Sequence, residues 1–182
     1  MIKILEFQMY TITPEFGWVL LSAIAIGFSC LFIGLLFPWR ARAKAFTEQY
    51  MKENYGTEHL RLTQEEIKKG GYPDTGSGLY SNNLTYEQWY NLNNAQRAHL
   101  NFVEWVSANI IFLVVGGIYY PIVASAFGFG IAVSRLIYAI GYVMRGPDGR
   151  LLGAILNDLI TLAQFVLAIM SSAQFIGGGN LF

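Results

Sequence analysis

The sequence predicts an all-α integral membrane protein folded as a four-helix bundle, on the grounds of its composition and its long apolar runs. Of the 182 residues, 54% are apolar and only 13% are charged. A soluble domain carries about 25% charged residues, so this chain has too little charge to cover a small soluble globule. The length fits one domain, and residues 1–182 are expected to form a single membrane domain.

Four apolar runs are long enough to cross a bilayer as helices. The first contains no charged residue and measures about 33 Å as a helix, against a hydrocarbon core of about 30 Å. Pro121 separates the second run from the third, because proline cannot continue a helix without losing a hydrogen bond. Arg135 is the one charge in the third run, and Asp158 is the one charge in the fourth. The expected spans are residues 16–37, 97–120, 122–144 and 151–176.

The connection between the first two spans contains a polar, aromatic extramembrane insert, about residues 44–91. Most basic residues lie in this connection and in the loop before span four. Because basic loops stay on the cytoplasmic side, the insert is expected there and both termini on the lumenal or exterior side. The formal net charge is zero, so nucleic acid is not an expected partner.

The cysteine and histidine content argues against a metal centre. The single cysteine, Cys30, excludes a disulfide within the chain and a zinc site built on cysteines. His59 and His99 lie far apart in the sequence and have no carboxylate at a ligand spacing. No metal site is therefore expected.

Polar residues inside the predicted spans form two stripes that indicate a ligand site. A charge at the centre of a span costs about 2.5–3.5 kcal/mol on insertion scales, so such residues usually face the bundle interior or mark function. With Arg150 in the loop before span four, these groups converge on the cytoplasmic mouth and suit a small anionic ligand. The alternative is that Arg97 and Glu104 pair with each other or with Arg135 only to hold the bundle together. The stripes follow helical spacing and contain Arg97, Asn101 and Glu104 in span two, and Arg135, Tyr138 and Tyr142 in span three.

These residues resemble the motifs of a known family. The segment Gln96-Arg97-Ala98-His99-Leu100-Asn101, followed by Glu104, resembles the second-helix motif of the MAPEG family, the membrane proteins of eicosanoid and glutathione metabolism. The likeness continues through Gly116-Gly117-Ile118-Tyr119-Tyr120-Pro121 and the stripe of span three. Within the family, the chain resembles in particular the type 3 microsomal glutathione S-transferases.

The resemblance implies a homotrimer that binds glutathione between neighbouring subunits at the cytoplasmic side. Glutathione would be a co-substrate, and Arg150 would be the catalytic residue that activates its thiol. The second substrate would be a lipophilic electrophile or a lipid hydroperoxide, met beside membrane lipid of the endoplasmic reticulum or the mitochondrion. The residues that the resemblance assigns to glutathione binding are Arg42, Arg97, Asn101, Glu104, Arg135, Tyr138 and Tyr142.

Two departures from the family pattern leave an alternative function open. Asp158 lies where relatives have small or apolar residues, and pairing with Arg150 or Arg135 would change the site. The insert is also longer than in typical relatives. The alternative is a non-catalytic, structural MAPEG-like subunit of a larger membrane complex, for example a mitochondrial one, with the insert as its docking surface. The aromatic residues of that surface would be Tyr72, Tyr80, Tyr86, Trp89 and Tyr90.

Overall fold

The computed structural model describes residues 13–71 and 74–177, and it confirms the all-helical fold. These residues form six α-helices and two 3-10 turns, and none of them lies in a β-strand. The turns are Leu79–Ser81 and Gly146–Arg150. The helices are α1 (Phe16–Leu36), α2 (Pro38–Ala45), α3 (Glu48–Thr63), α4 (Tyr86–Gly117), α5 (Pro121–Arg145) and α6 (Leu151–Ile176).

Local sequence signals explain where the long helices begin and end. Thr85 and Gln88 form a reciprocal capping box at the start of α4, so this helix begins 11 residues before the expected span. Pro121 occupies the first turn of α5, where its missing N–H costs nothing. Gly146 follows the last residue of α5 with a φ of 69°, a left-handed conformation that glycine adopts freely.

Helix α5 lies at the centre of the bundle and packs against α1, α4 and α6. The face that α1 buries repeats every seven residues, with Val19, Ile26 and Ile33 fully buried. Small residues bring the helices close together. A side chain at Gly128 of α5 would collide with Ser22 of α1, 2.5 Å away.

Three continuous helical segments are long and apolar enough to cross a membrane. They are Phe16–Ala45, Tyr86–Gly117 and Pro121–Ile176, and an 18-residue stretch within each has a mean hydropathy of 2.6, 1.5 and 1.8, respectively. The third segment contains both α5 and α6, of 25 and 26 residues, joined by the second 3-10 turn. Each of these two helices is about 38 Å long, which is enough for a span of its own.

The described residues between α2 and α4 form a small unit whose apolar core is completed by the neighbouring ends of these two helices. Phe46, Met51, Ile67 and Leu92 are buried together in that core. Tyrosines of α3 bind the first 3-10 turn through hydrogen bonds. The Tyr50 hydroxyl donates one of 2.6 Å to the carbonyl oxygen of Tyr80. The insert is therefore a folded cap at one end of the bundle.

Candidate functional site

The polar stripes of α4 and α5 meet at a buried arginine. Arg135 of α5 is only 2% exposed, and its Nη1 donates a 2.7 Å hydrogen bond to Oδ1 of Asn101 on α4. Its guanidinium also lies 5.0 Å from the ring centroid of Phe102, a favourable cation–π distance. The Nε–H of Arg135 is buried and has no acceptor among residues 13–71 and 74–177. A ligand or a neighbouring chain would have to supply the missing acceptor.

A second arginine approaches the same place from the start of α6. Nη1 of Arg150 donates a 3.3 Å hydrogen bond to the hydroxyl of Tyr138, and its guanidinium lies 5.5 Å from the ring centroid of Tyr142. The guanidinium of Arg135 lies 5.7 Å from the ring centroid of Tyr138. Tyr138 is therefore flanked by two positive charges. We call the cluster of Asn101, Arg135, Tyr138, Tyr142 and Arg150 the mouth.

Glycines allow the backbone contacts that hold Arg150 beside Tyr138. A Cβ atom on Gly153 of α6 would lie 2.3 Å from the backbone nitrogen of Tyr138. A Cβ atom on Gly141 of α5 would lie 2.0 Å from the carbonyl oxygen of Gly149 in the 3-10 turn. Real Cβ atoms do not come this close to backbone, so α5 and the turn before α6 approach at a distance that only glycine permits.

Arg97 and Glu104 share the α4 stripe but do not join the mouth. Both side chains are exposed, and they form no ion pair with each other or with Arg135. All ion pairs between described residues lie in α3 and the loop after it. Glu104 still acts electrostatically on Arg135 from beyond ion-pair distance. The alternative that these residues only hold the bundle together through direct pairing is therefore wrong within one chain.

The family of this chain is identified by a family model that matches most of its sequence. A model of the MAPEG family matches residues 19–170, which contain the mouth and nearly all of the four long helices. The chain belongs to the MAPEG family. Members of this family are membrane proteins that use glutathione, and they include glutathione transferases and peroxidases as well as other proteins. The expectation of an integral membrane protein of this family is confirmed.

Arg42 connects the MAPEG bundle to the insert. Its Nη1 donates a hydrogen bond to the carbonyl oxygen of Asp74, 32 residues further along the chain. The carboxylate of Asp74 accepts hydrogen bonds from the backbone of Gly76, Gly78 and Ser81 and from the Ser81 hydroxyl. Burial opposes ionisation of Asp74, but these hydrogen bonds outweigh it and hold its pKa below the usual value. Arg42 thus contacts an ordered, ionised turn.

Asp158 of α6 is exposed and makes no ion pair with Arg150 or Arg135. Its Oδ1 accepts a 3.2 Å hydrogen bond from Nδ2 of Asn157. Its charge acts on Arg135 from beyond ion-pair distance. The pairing with Arg150 or Arg135 that would change the site therefore does not form within one chain, and an exposed carboxylate in an apolar helix requires another partner.

A neutral polar cluster lies deeper between α4 and α6, and sequence reasoning missed it. The Thr161 hydroxyl donates a 3.0 Å hydrogen bond to Oδ1 of Asn109. Gln164 is fully buried, and neither atom of its amide has a partner among the described residues. The sequence does contain a signal for this cluster, because Asn157, Thr161 and Gln164 follow helical spacing in span four. Sequence reasoning considered only Asp158 in that span. We call Asn109, Asn157, Thr161 and Gln164 the polar seam.

The part of the chain that the structure describes contains no group of three or more His, Cys, Asp or Glu residues able to hold a metal ion. At the mouth, the arginines, the amide and the phenols offer charge stabilisation and hydrogen bonding. Both suit an anionic ligand and a developing thiolate.

Proposed function

We propose that this MAPEG protein is a glutathione-dependent membrane transferase or peroxidase, similar to the type 3 microsomal glutathione S-transferases. It would conjugate lipophilic electrophiles or reduce lipid hydroperoxides. The observation that carries the proposal is Tyr138 held between the guanidinium groups of Arg135 and Arg150. Two permanent positive charges beside an apolar bilayer suit an anionic co-substrate whose reaction partner arrives from the membrane.

The charges around the mouth complement those of glutathione, which carries two carboxylates and one ammonium group. Arg135, with its free Nε–H, supplies a buried cation, and Asn101 a neighbouring amide. Arg97 and Glu104 are exposed one turn on either side of Asn101, where they can bind a carboxylate and the ammonium group. Arg42 contributes from the end of α2, where it also contacts the Asp74 turn.

Binding between subunits explains why part of the site lies open in one chain. Arg97, Glu104 and Asp158 are all exposed on the bundle surface. In the proposed homotrimer a neighbouring subunit covers them, so that glutathione and the charged side chains are shielded from lipid. The proposal includes four spans, with the insert on the cytoplasmic side of the endoplasmic reticulum or mitochondrial membrane.

Arg150 is the proposed catalytic residue. A cysteine-like thiol has a pKa of about 8.5, so only a few per cent is thiolate at pH 7. Half-ionisation at pH 7 requires a shift of about 1.5 pKa units, or about 2 kcal/mol. A unit charge at 4 Å supplies about 4 kcal/mol at an effective dielectric constant near 20, before desolvation opposes it. One arginine is enough, and it acts by charge alone because it does not lose its proton.

The thiolate then performs one of two reactions. In conjugation, the sulfur forms a bond to an electrophilic carbon, and the electron pair displaced there leaves with the leaving group or takes up a proton. In peroxide reduction, the sulfur attacks the hydroperoxide and the O–O bond breaks. The products are an alcohol and a glutathione sulfenic acid, which a second glutathione converts to the disulfide and water.

The test separates binding from chemistry at Arg150. Arg150→Ala should keep glutathione binding in calorimetry but lower turnover and move the midpoint of the pH–rate profile upward. Arg145→Ala is the matched control, because Arg145 ends α5 beside the same turn but is exposed. Wild-type protein that binds no glutathione at millimolar concentration would overturn the proposal. An unchanged pH profile in Arg150→Ala would remove only Arg150 from it.

The second candidate, a structural subunit of a larger membrane complex, is favoured by exposed aromatic residues at the start of α4. Tyr86 is 75% exposed and Trp89 is 40% exposed, and their rings lie 5.9 Å apart. Tyr80 packs inside the insert, and a Cβ on Gly146 would meet the Tyr90 hydroxyl, so these two are used internally. Tyr72 lies outside the described residues. Native mass separates the candidates: a homotrimer supports the enzyme, and a large hetero-complex supports the subunit.

A further inference from the structure

A groove follows the outer side of α1 into α2 and widens beside the start of α4. Its inner part is a shallow, open cavity of about 420 Å³ on the surface of α1 and the start of α2, lined by Phe32, Leu35, Leu36, Trp39 and Arg40. Its outer part is a second cavity of about 420 Å³ between α2 and α4. Leu36 and Arg40 line both cavities, so the two lie side by side. No residue of the mouth lines either one.

The outer cavity combines positive charge with amide groups. Arg40 and Lys44 lie one helical turn apart on α2, and neither has an ion-pair partner among the described residues. On the opposite wall, Gln88 and Asn91 of α4 add side-chain amides. Two cations and two amides beside an apolar wall favour an anion with several oxygen acceptors, such as a phosphate.

The groove lies at the level of a membrane surface. Arg40 is the first charged residue after 24 uncharged ones that include all of α1. Trp39 is 69% exposed beside it, and tryptophan is enriched where the hydrocarbon core meets the headgroups. The basic loops of this chain indicate the cytoplasmic leaflet, which is rich in anionic lipids. A ligand here has its anionic part at Arg40 and an apolar part beside Phe32 and Leu35.

We propose that this groove binds an anionic phospholipid. The phosphate lies between Arg40 and Lys44 in the outer cavity, and one acyl chain follows the apolar inner cavity past Trp39. A zwitterionic phospholipid fits less well, because its ammonium group would meet the two cations. A soluble phosphate would use only the outer cavity and leave the apolar one empty. The proposal does not depend on glutathione binding at the mouth.

Native mass spectrometry of the full-length protein in detergent tests the proposal, with phosphatidylglycerol and phosphatidylcholine as probes. The wild type should retain phosphatidylglycerol in preference to phosphatidylcholine. The double variant Arg40→Gln, Lys44→Gln should bind phosphatidylglycerol about thirtyfold more weakly, from about 1 kcal/mol for each basic residue near an anionic surface. Phosphatidylcholine binding should not change.

Matched variants and a competitor complete the test. Lys68→Gln, Lys69→Gln removes the same charge from the insert, away from the groove, and should bind phosphatidylglycerol like the wild type. Arg40→Lys keeps the charge and should retain most binding, which guards against a folding artefact. Equal binding of the two lipids, or equal loss in both double variants, would overturn the proposal. Displacement of the lipid by millimolar inorganic phosphate would overturn the proposal of a phospholipid ligand and would favour a soluble anion.

Discussion

Two polar clusters interrupt the apolar interior of the bundle, the mouth and the polar seam. The mouth contains two arginines, and its side chains contact one another across α4, α5 and the start of α6. The polar seam is uncharged, and within residues 13–71 and 74–177 the hydrogen bond from Thr161 to Asn109 is its one interhelical hydrogen bond between side chains. Buried amide groups of Asn109, Asn157 and Gln164 have unpaired atoms within the described chain.

The difference shows which cluster is suited to a ligand. Burying a charge is costly unless a partner compensates for it. In the mouth, Arg135 is buried beside an amide and an aromatic ring, and among the described residues it has no ion-pair partner. The polar seam is sealed between helices, and a buried amide group without a partner costs about 1–3 kcal/mol. We infer that the mouth is maintained for chemistry, and that the polar seam reduces stability unless bound water pairs with it.

A side chain added at the close contact of Gly141 should disrupt the mouth and leave the polar seam intact. Gly141→Ala places a Cβ 2.0 Å from the carbonyl oxygen of Gly149, so the turn that carries Arg150 must move. We expect a loss of stability of about 1–3 kcal/mol, as for other overpacked sites, and loss of most glutathione turnover. Thermal unfolding in detergent and a turnover assay measure both.

The control for this change is Gly27→Ala in α1, because a Cβ there has no neighbour within 4 Å. Its stability and turnover should match the wild type or exceed it slightly, since alanine favours a helix over glycine by about 1 kcal/mol. Equal behaviour of the two variants would show that the close contact at Gly141 does not hold the mouth together.

Removing the buried charge should weaken glutathione binding while the fold persists. Arg135→Gln loses a cation and a charge-assisted hydrogen bond, worth about 1.5–3 kcal/mol, which corresponds to a tenfold to hundredfold change in affinity. Calorimetry with glutathione measures it, and exposed Arg145→Gln is the matched control. Undiminished affinity in Arg135→Gln would place the ligand elsewhere.

Substitutions in the polar seam should change stability and leave turnover unchanged. Gln164→Leu removes two unpaired amide atoms at nearly constant volume, so we expect stability to rise by about 1–2 kcal/mol with unchanged turnover. Thr161→Val removes the partner of Asn109 and should lower stability by about 1 kcal/mol. Thermal unfolding compares the two variants. A destabilised Gln164→Leu would show that the glutamine has a partner after all, such as a bound water.

The smallest expected effect concerns Asp158, which touches the polar seam through Asn157 and acts on Arg135 by charge alone. Asp158→Leu removes a negative charge near the mouth, which favours the thiolate. The midpoint of the pH–rate profile should therefore move downward by a few tenths of a pH unit. Glu87→Gln, in the exposed first turn of α4, should leave the midpoint unchanged.

Native mass of the same Asp158 variant decides between electrostatics and assembly. An oligomer of wild-type mass with the shifted pH profile supports the electrostatic role. Loss of the oligomer without a shift would instead assign Asp158 to a contact with a neighbouring chain, which is the other way to satisfy an exposed carboxylate in an apolar helix.

The sequence predicted one part of the site better than the other. Helical spacing grouped Arg135 with Tyr138 and Tyr142, and the structure places these three with Asn101 and Arg150. The same spacing grouped Arg97 and Glu104 with Asn101, yet those two are exposed. A stripe covers a wide arc of a helix, and only the rotation of the helix in the bundle decides which members turn inward.

By itself, the sequence determined the helices and their membrane character. A backbone in lipid must satisfy its own hydrogen bonds, so long apolar runs become helices, and proline and glycine mark their ends. The tertiary structure alone decided the contacts between distant segments. Arg42 meets Asp74 across 32 residues, and Thr161 meets Asn109 across 52. Such pairs depend on how closely the helices approach and how they are rotated, which residue spacing along one helix does not specify. The backbone contacts at Gly141 and Gly153 are a further case, because they set how closely α5 approaches α6 and the turn before it.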